Sequence, residues 1–281
     1  KFIWGPLGGG EGVPRELWSH LTEKQRMIER VRHFNMIFPL TNPWKNVAIR
    51  KACLLIVRTN DTLACIPPKY RNKCQLMIET GISQSDIESF KAVGTNLNSE
   101  LRNDFLICGK MVPYKLFDLA IDAFGNADEI NGNAKLHIIG DGPLMNSLKR
   151  EAQKYEASTN IVFHGKLSRK ETLEIMASCK ALLLTSAREG GSWVMFEAML
   201  LKKPIICFDT SGMTVVVNRE MGYMIPVCAY EEAIVHFKQA LIDCYYQDTT
   251  EMGNQAYWRV TEQFTWKAKI EQMLKQLDEN N

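Results

Sequence analysis

No stretch of this chain approaches the roughly 18 consecutive apolar residues of a membrane-spanning helix. No block of Lys and Arg stands out, and with a net charge of +2 the chain carries no electrostatic footprint for nucleic acid. Its eight cysteines (Cys53, Cys65, Cys74, Cys108, Cys179, Cys207, Cys228 and Cys244) include no C-x-x-C pair. They are scattered, mostly within apolar runs, as expected in a reducing cytosol where a buried thiol acts as a small hydrophobe. There is no Walker sequence, no complete G-x-G-x-x-G and no Asp-x-Asp pair to hold a metal–diphosphate. No internal repeat or low-complexity tract occurs, and no secretory signal. Lys1 is not a natural start, so the N-terminus is expected to be truncated.

What is present is ordinary globular composition, 46% apolar and 23% charged, over 281 residues. That length suits about two domains with a sizeable core. Lys1 to Trp4 reads as the end of a strand, followed by a loop with Gly8, Gly9 and Gly10 that permits sharp turns near a ligand. Arg15 to about Phe38 reads as one helix, with Trp18, Leu21, Ile28 and Val31 near helical spacing and a basic polar side including Arg26, Arg30 and Arg32. A solvated face is the plainer reading of that side, and contact with a membrane surface the alternative. Cys53–Val57 and Gln75–Glu79 read as strands, with Thr59 able to cap a helix between them. Ser83 to Glu100 is polar and weakly periodic, and reads as an interdomain linker.

The second half alternates. Strands are predicted at Asp104–Cys108, Lys135–Ile139, Ile161–Phe163, Ala181–Thr185 and Pro204–Phe208. Helices are predicted near Leu116–Phe124, Pro143–Lys154, Arg169–Ser178, Trp193–Leu201 and Tyr230–Tyr246. Such alternation indicates βαβ units and a parallel sheet, whose ligands bind at the carboxyl ends of the strands.

The loops at those ends carry the chemistry. Gly109, Lys110 and Lys115 follow the first of these strands, where two cations could neutralise a diphosphate, although alone they read as surface lysines. Gly140-Asp141-Gly142-Pro143 is a tight turn into a helix, with Met145 where the third glycine of a dinucleotide fingerprint would stand. Gly165-Lys166-Leu167 follows His164, which lacks a second metal ligand at suitable spacing and reads as structural. Then Glu189-Gly190-Gly191-Ser192-Trp193-Val194 leads into a helix containing Glu197. The helix start offers unpaired N–H groups to a phosphate, and the two acids suit sugar or ribose hydroxyls. A capping role for the acids is the structural alternative. Val194 stands where a nucleophile elbow needs its second glycine, which disfavours a serine hydrolase.

In order, Gly109-Lys110 with Lys115, Ile138–Pro143, Phe163-His164-Gly165, the Glu189/Glu197 pair, Lys203–Ile206 and Ser211-Gly212 resemble retaining glycosyltransferases of family 4, from about Asn98 onward. Trp4–Glu11, Leu54–Val57 and Glu79–Ile82 are similar to segments of members that build bacterial surface polysaccharides. The resemblance implies an α/β fold of GT-B type, two Rossmann-like domains with parallel sheets, the N-terminal one incomplete. Residues 1–97 would be the partial acceptor-side domain, 98–262 the nucleotide-sugar domain, and 263–281 a terminal helix, begun near Trp266, crossing back.

The resemblance also implies roles. Glu189 would bind donor-sugar hydroxyls and Glu197 the ribose. Lys110 and Lys115 would hold the diphosphate with N–H groups of Gly191–Val194, and the Gly165–Leu167 backbone would pack on the base. Gly109, Gly140, Gly142, Gly190, Ser192 and Trp193 complete the expected donor site, with Lys110, Lys115 and Glu189 as its catalytic members. Lys110 stands where Arg is usual, which turns a fork into a point charge. Gly191-Ser192-Trp193 replaces the commoner Phe-Gly-Leu, and the family's sugar-facing histidine has no counterpart here.

The implied activity is sugar transfer from a UDP- or GDP-sugar to a saccharide or lipid-linked saccharide acceptor, without a metal or resident cofactor. It would occur in the cytoplasm or at the inner membrane face. A GT-B epimerase and a donor-binding, catalytically incomplete fragment are the alternatives.

Overall fold

The computed structural model describes residues 2–41, 43–96 and 102–279. Two parallel sheets organise it. The smaller has the order β1-β2-β3, from Ile3–Leu7, Leu54–Val57 and Cys74–Leu76. The larger has the order β6-β5-β4-β7-β8-β9. Its strands are β4 (Phe105–Cys108), β5 (Leu136–Ile139), β6 (Ile161–Gly165), β7 (Ala181–Leu184), β8 (Ile205–Phe208) and β9 (Gly222–Ile225). All its pairings are parallel. β4, β7 and β8 read as unbroken apolar runs, and β5 is broken only by His137, because helices cover both faces; almost every residue in these strands is buried. The sheet grows outward in one direction through β5 and β6, then reverses at β7. The switch point therefore lies between β4 and β7.

The helices are α1 (Glu23–Thr41), α2 (Pro43–Lys51), α3 (Asn60–Ala64), α4 (Gln84–Asn96), α5 (Phe117–Gly125) and α6 (Met145–Ala152), then α7 (Arg169–Ser178), α8 (Trp193–Leu200), α9 (Met213–Val216), α10 (Tyr230–Tyr246), α11 (Thr250–Gln263) and α12 (Trp266–Glu279). The predicted strands and helices of the second half all occur, with bounds shifted by a few residues at most. β9, α9 and α11 were not read from sequence. β9 is short and ends the sheet, and the helix of α11 carries little apolar pattern.

Three sequence expectations are corrected. The stretch read as a linker contains α4, whose Ile87 and Phe90 are buried in the main core. Its few apolar residues suffice because the helix packs against α7 and α8. The boundary placed at residues 97 and 98 lies outside the described residues. The single helix expected from Arg15 is divided, a 3-10 turn over Arg15–His20 preceding α1. Thr22 restarts it: its N–H donates to Gln25 Oε1 at 2.8 Å while its hydroxyl accepts from the Gln25 N–H at 3.4 Å, a reciprocal cap. Leu17 and Leu21 are buried, whereas Ile28 and Val31 are 51% and 56% exposed. Finally, the strand expected to reach Glu79 stops at Leu76. Beyond it the carbonyls of Ile78 and Thr80 accept from the buried Lys269 ammonium, the latter at 2.7 Å, instead of entering a ladder.

That lysine belongs to α12, which packs on the loop between β3 and α4. Ile82 and Thr265 form a parallel bridge. Trp266 lies so close over Gly81 that a Cβ there would approach its ring to 2.6 Å.

Candidate active site

The carboxyl ends of β4, β5 and β6 are floored by backbone. Gly140 has φ +130°, and a Cβ on it would lie 1.9 Å from the Gly109 carbonyl oxygen. Its N–H donates to the Gly165 carbonyl at 2.8 Å. A Cβ on Gly142 would reach the Met111 carbonyl oxygen at 2.5 Å. Three successive loops therefore touch main chain to main chain, which only glycine permits. Gly165, with φ +69°, has open space before it. Lys110, Lys166 and Trp193 are exposed at the rim, while Leu167 is half-buried.

Lys115 and Glu189 meet across the switch point. Lys115 Nζ donates to Glu189 Oε2 at 2.8 Å, and Ser186 Oγ lies 3.4 Å from the same oxygen. A Cβ on Gly109 would stand 3.5 Å from that ammonium, so the glycine leaves the space above it clear. Glu197, on α8, accepts from Arg169 Nε at 2.8 Å. Burial pushes its carboxyl above the usual range, against the opposing pull of Arg169.

Gly190 and Gly191 face the smaller sheet. A Cβ on Gly190 would meet Glu79 Oε1 at 3.0 Å and Arg58 Nη1 at 3.1 Å. The Thr80 hydroxyl donates to the Gly191 carbonyl at 2.5 Å. Ser192 caps α8 through its backbone conformation alone, and Val194 is half-buried. His164 is a structural partner: its Nε2 lies 2.9 Å from His137 Nδ1, and His137 Nε2 lies 3.3 Å from Asp104.

The loop of Gly8, Gly9 and Gly10 covers Arg58. Gly9 N–H donates to Glu11 Oε2 at 2.9 Å and Gly10 N–H to Thr62 Oγ1 at 3.2 Å. Arg58 grips Glu11 with Nε and Nη2, each at 2.9 Å, and Glu79 with Nη1 at 3.0 Å. Burial opposes the Glu11 charge, but hydrogen bonds from Arg58, Thr59 and the Gly9 N–H outweigh it and hold the carboxyl at about 2.

Between the two sheets these groups line an open polar cavity of about 250 Å³. Glu189, Gly190 and Gly191 line it from one side, Glu11, Arg58 and Glu79 from the other, with Arg32, Arg188 and Tyr114 completing the wall. Sequence reasoning singled out neither Arg58 nor Arg188. Their positions, immediately after a strand and immediately before Glu189, were the available signal. Arg32, read only as part of a solvated face, turns its Nε inward to a buried position.

Residues 91–258 match the family of glycosyl transferases group 1. An uncharacterised glycosyltransferase of Methanocaldococcus jannaschii is 28% identical over 156 residues, which are 55% of this chain and 42% of that protein. A GDP-mannose-dependent alpha-(1-6)-phosphatidylinositol dimannoside mannosyltransferase of Mycobacterium tuberculosis is 26% identical over 170 residues, 59% of this chain and 42% of that one. The chain spans less than half the length of these curated relatives. The crystal structure of Anabaena HepE with UDP and glucose aligns with a TM-score of 0.62 at 17% identity, covering 93% of this chain and 68% of that one. Such likeness carries the fold, and the fold is of GT-B type. With the family match covering more than half of its length, the chain belongs to the glycosyl transferases group 1.

Proposed function

We propose that the chain transfers a sugar from a UDP- or GDP-sugar to a saccharide or lipid-linked saccharide acceptor, with retention at the anomeric carbon, as in family 4. The observation that carries this reading is the Lys115–Glu189 pair at the switch point of the larger sheet. Open α/β sheets bind ligands there, and the pair sets a cation beside a carboxylate over a glycine floor.

Lys115 and Lys110 would take the diphosphate with the N–H groups of Gly191–Val194 at the start of α8. Glu189, released from Lys115 by the phosphate, would accept sugar hydroxyls. Glu197, released from Arg169, would accept those of the ribose, and the Gly165–Leu167 backbone would face the base. Charge growing on the leaving diphosphate would meet fixed cations and helix N–H groups. Front-face attack, with that phosphate accepting the acceptor's proton, requires no enzyme nucleophile. No metal or resident cofactor enters this reading. The exposed Met27, Ile28 and Val31 on α1, beside its basic residues, support peripheral contact with a membrane, and the cytoplasm or its inner face is the proposed location. No described helix is long and apolar enough to cross a membrane.

A thermal-shift panel of UDP-, GDP- and ADP-sugars tests the donor. A rise in melting temperature with a UDP- or GDP-sugar is expected, and a flat response to all three overturns the reading. Binding without transfer or donor hydrolysis would leave the chain a donor-binding unit, and epimerised donor formed without acceptor would mark an epimerase.

A further inference from the structure

The cavity between the sheets is not uniform in charge. At one end a single carboxylate serves two guanidiniums: Glu29 Oε1 lies 3.6 Å from Arg188 Nη2 and 3.7 Å from Arg32 Nε. Both distances exceed a hydrogen bond. The other Glu29 oxygen is taken by the Val13 N–H at 3.1 Å. Arg32 Nε and Arg188 Nε are both buried with no acceptor among the described residues. Arg188 also lies over the Tyr114 ring, 4.2 Å from its centroid. A guanidinium cannot shed its charge, so this end holds two positive groups against one negative. Burial pushes the Arg188 pKa down and neighbouring Arg32 pushes the same way, against the pull of Glu29.

At the other end the imbalance is reversed. Arg58 serves two carboxylates, both oxygens of Glu11 and Oε1 of Glu79. Glu79 Oε2 is left as a buried acceptor with no donor among the described residues. Glu189, placed under the proposed function at the donor sugar, lines the same cavity.

We propose that this cavity receives the acceptor, and that the acceptor is an acidic sugar, a ring bearing a carboxylate or phosphate substituent. This rests on the reading of Glu189 as the donor-sugar contact. The anion docks between Arg32 and Arg188 and supplies the acceptor atoms their guanidiniums lack. A ring hydroxyl donates to Glu79 Oε2. A neutral sugar would satisfy Glu79 but leave the two guanidiniums sharing one carboxylate, whereas an oxyanion offers a fork matched to the guanidinium plane. The volume of about 250 Å³ is below the roughly 300–1,000 Å³ typical of drug-sized ligands, which suits one sugar unit rather than a nucleotide.

The test is calorimetric binding to the whole chain saturated with UDP or GDP, whichever it binds, using methyl glucuronide, glucose 6-phosphate, methyl glucoside and inorganic phosphate as probes. One acidic sugar is expected to bind about tenfold or more tightly than methyl glucoside, the gain of one charge-assisted contact, and its identity separates carboxylate from phosphate. Arg188→Met and Arg32→Met should each remove that preference while leaving binding of that nucleotide unchanged. Equal binding of methyl glucoside and both acidic sugars overturns the proposal, as does inorganic phosphate binding as tightly as glucose 6-phosphate. The comparison of probes on the unaltered chain stands even if a variant fails to fold. A response to UDP or GDP with no acidic preference defeats this inference alone, whereas no response to either nucleotide defeats the donor reading on which it rests.

Discussion

Lys115 Nζ bonds Glu189 Oε2 at 2.8 Å across the boundary between β4 and β7, joining loops 74 residues apart in the chain. The pair is half-buried, so each partner has little water to fall back on. Among the described residues, Lys115→Ala leaves the Glu189 carboxylate only the Ser186 hydroxyl at 3.4 Å. The expected stability loss is about 1–3 kcal/mol, with turnover down about a hundredfold or more if the lysine holds the leaving phosphate. Steady-state kinetics beside a thermal melt checks this, and near-normal turnover would sink the phosphate assignment.

Two glycines at neighbouring strand ends should respond differently to the same change. Gly140→Ala sets a methyl against the Gly109 carbonyl oxygen at φ +130°, so loops must part. Gly165→Ala meets no atom within 4 Å and bears only the left-handed strain of φ +69°, about 1–2 kcal/mol. Denaturant midpoints should fall much further for Gly140→Ala, and equal shifts would contradict the backbone contact.

The Glu11 carboxyl, held at about 2 in the fold against an ordinary value near 4.5, links stability to acid. Its folded value is depressed, so the contribution is complete above about pH 4.5 and disappears as pH falls through about 2. At neutral pH that contribution is about 3 kcal/mol at 1.36 kcal/mol per unit. Glu11→Gln should therefore be less stable than wild type at pH 7, and the gap should close between pH 4.5 and 2. Urea melts across that range would show it, and a gap independent of pH would refute the linkage.

His20 behaves in the opposite sense. Burial works against its charge, but the bond to Asp118 at 2.7 Å, with Asp122 and Glu231 nearby, raises its pKa above 6.5. A raised folded value means stability present below about pH 6.5 and lost as pH rises through the folded value. His20 also stacks on Tyr230 with centroids 3.6 Å apart, a contact that survives deprotonation. His20→Ala should thus be destabilised most in mild acid and retain a smaller deficit in alkali. A deficit that grows with pH would be the wrong sign.

The features legible in the sequence are those set by near neighbours. The apolar runs of β4, β7 and β8 and the glycine turns that follow β4 and β5 all depend on residues within a few positions of one another. So does the loop carrying Glu189 ahead of Glu197. α4 escaped because its burial depends on a surface supplied by distant segments, and past the end of β3 Lys269, nearly 200 residues later, takes the carbonyls of Ile78 and Thr80.

The sequence by itself determined a parallel α/β chain with chemistry in its loops, because periodicity, apolar runs and turn residues act locally. Tertiary structure decided which loops meet. Placing β7 beside β4 pairs Lys115 with Glu189 and brings Arg188 to Glu29 and Arg32. Bringing the strand ends of the smaller sheet against Gly190 and Gly191 sets the Arg58–Glu79 pair into the same cavity. Local patterning carries no information on strand order, and the charge imbalance of the cavity exists only once that order is set.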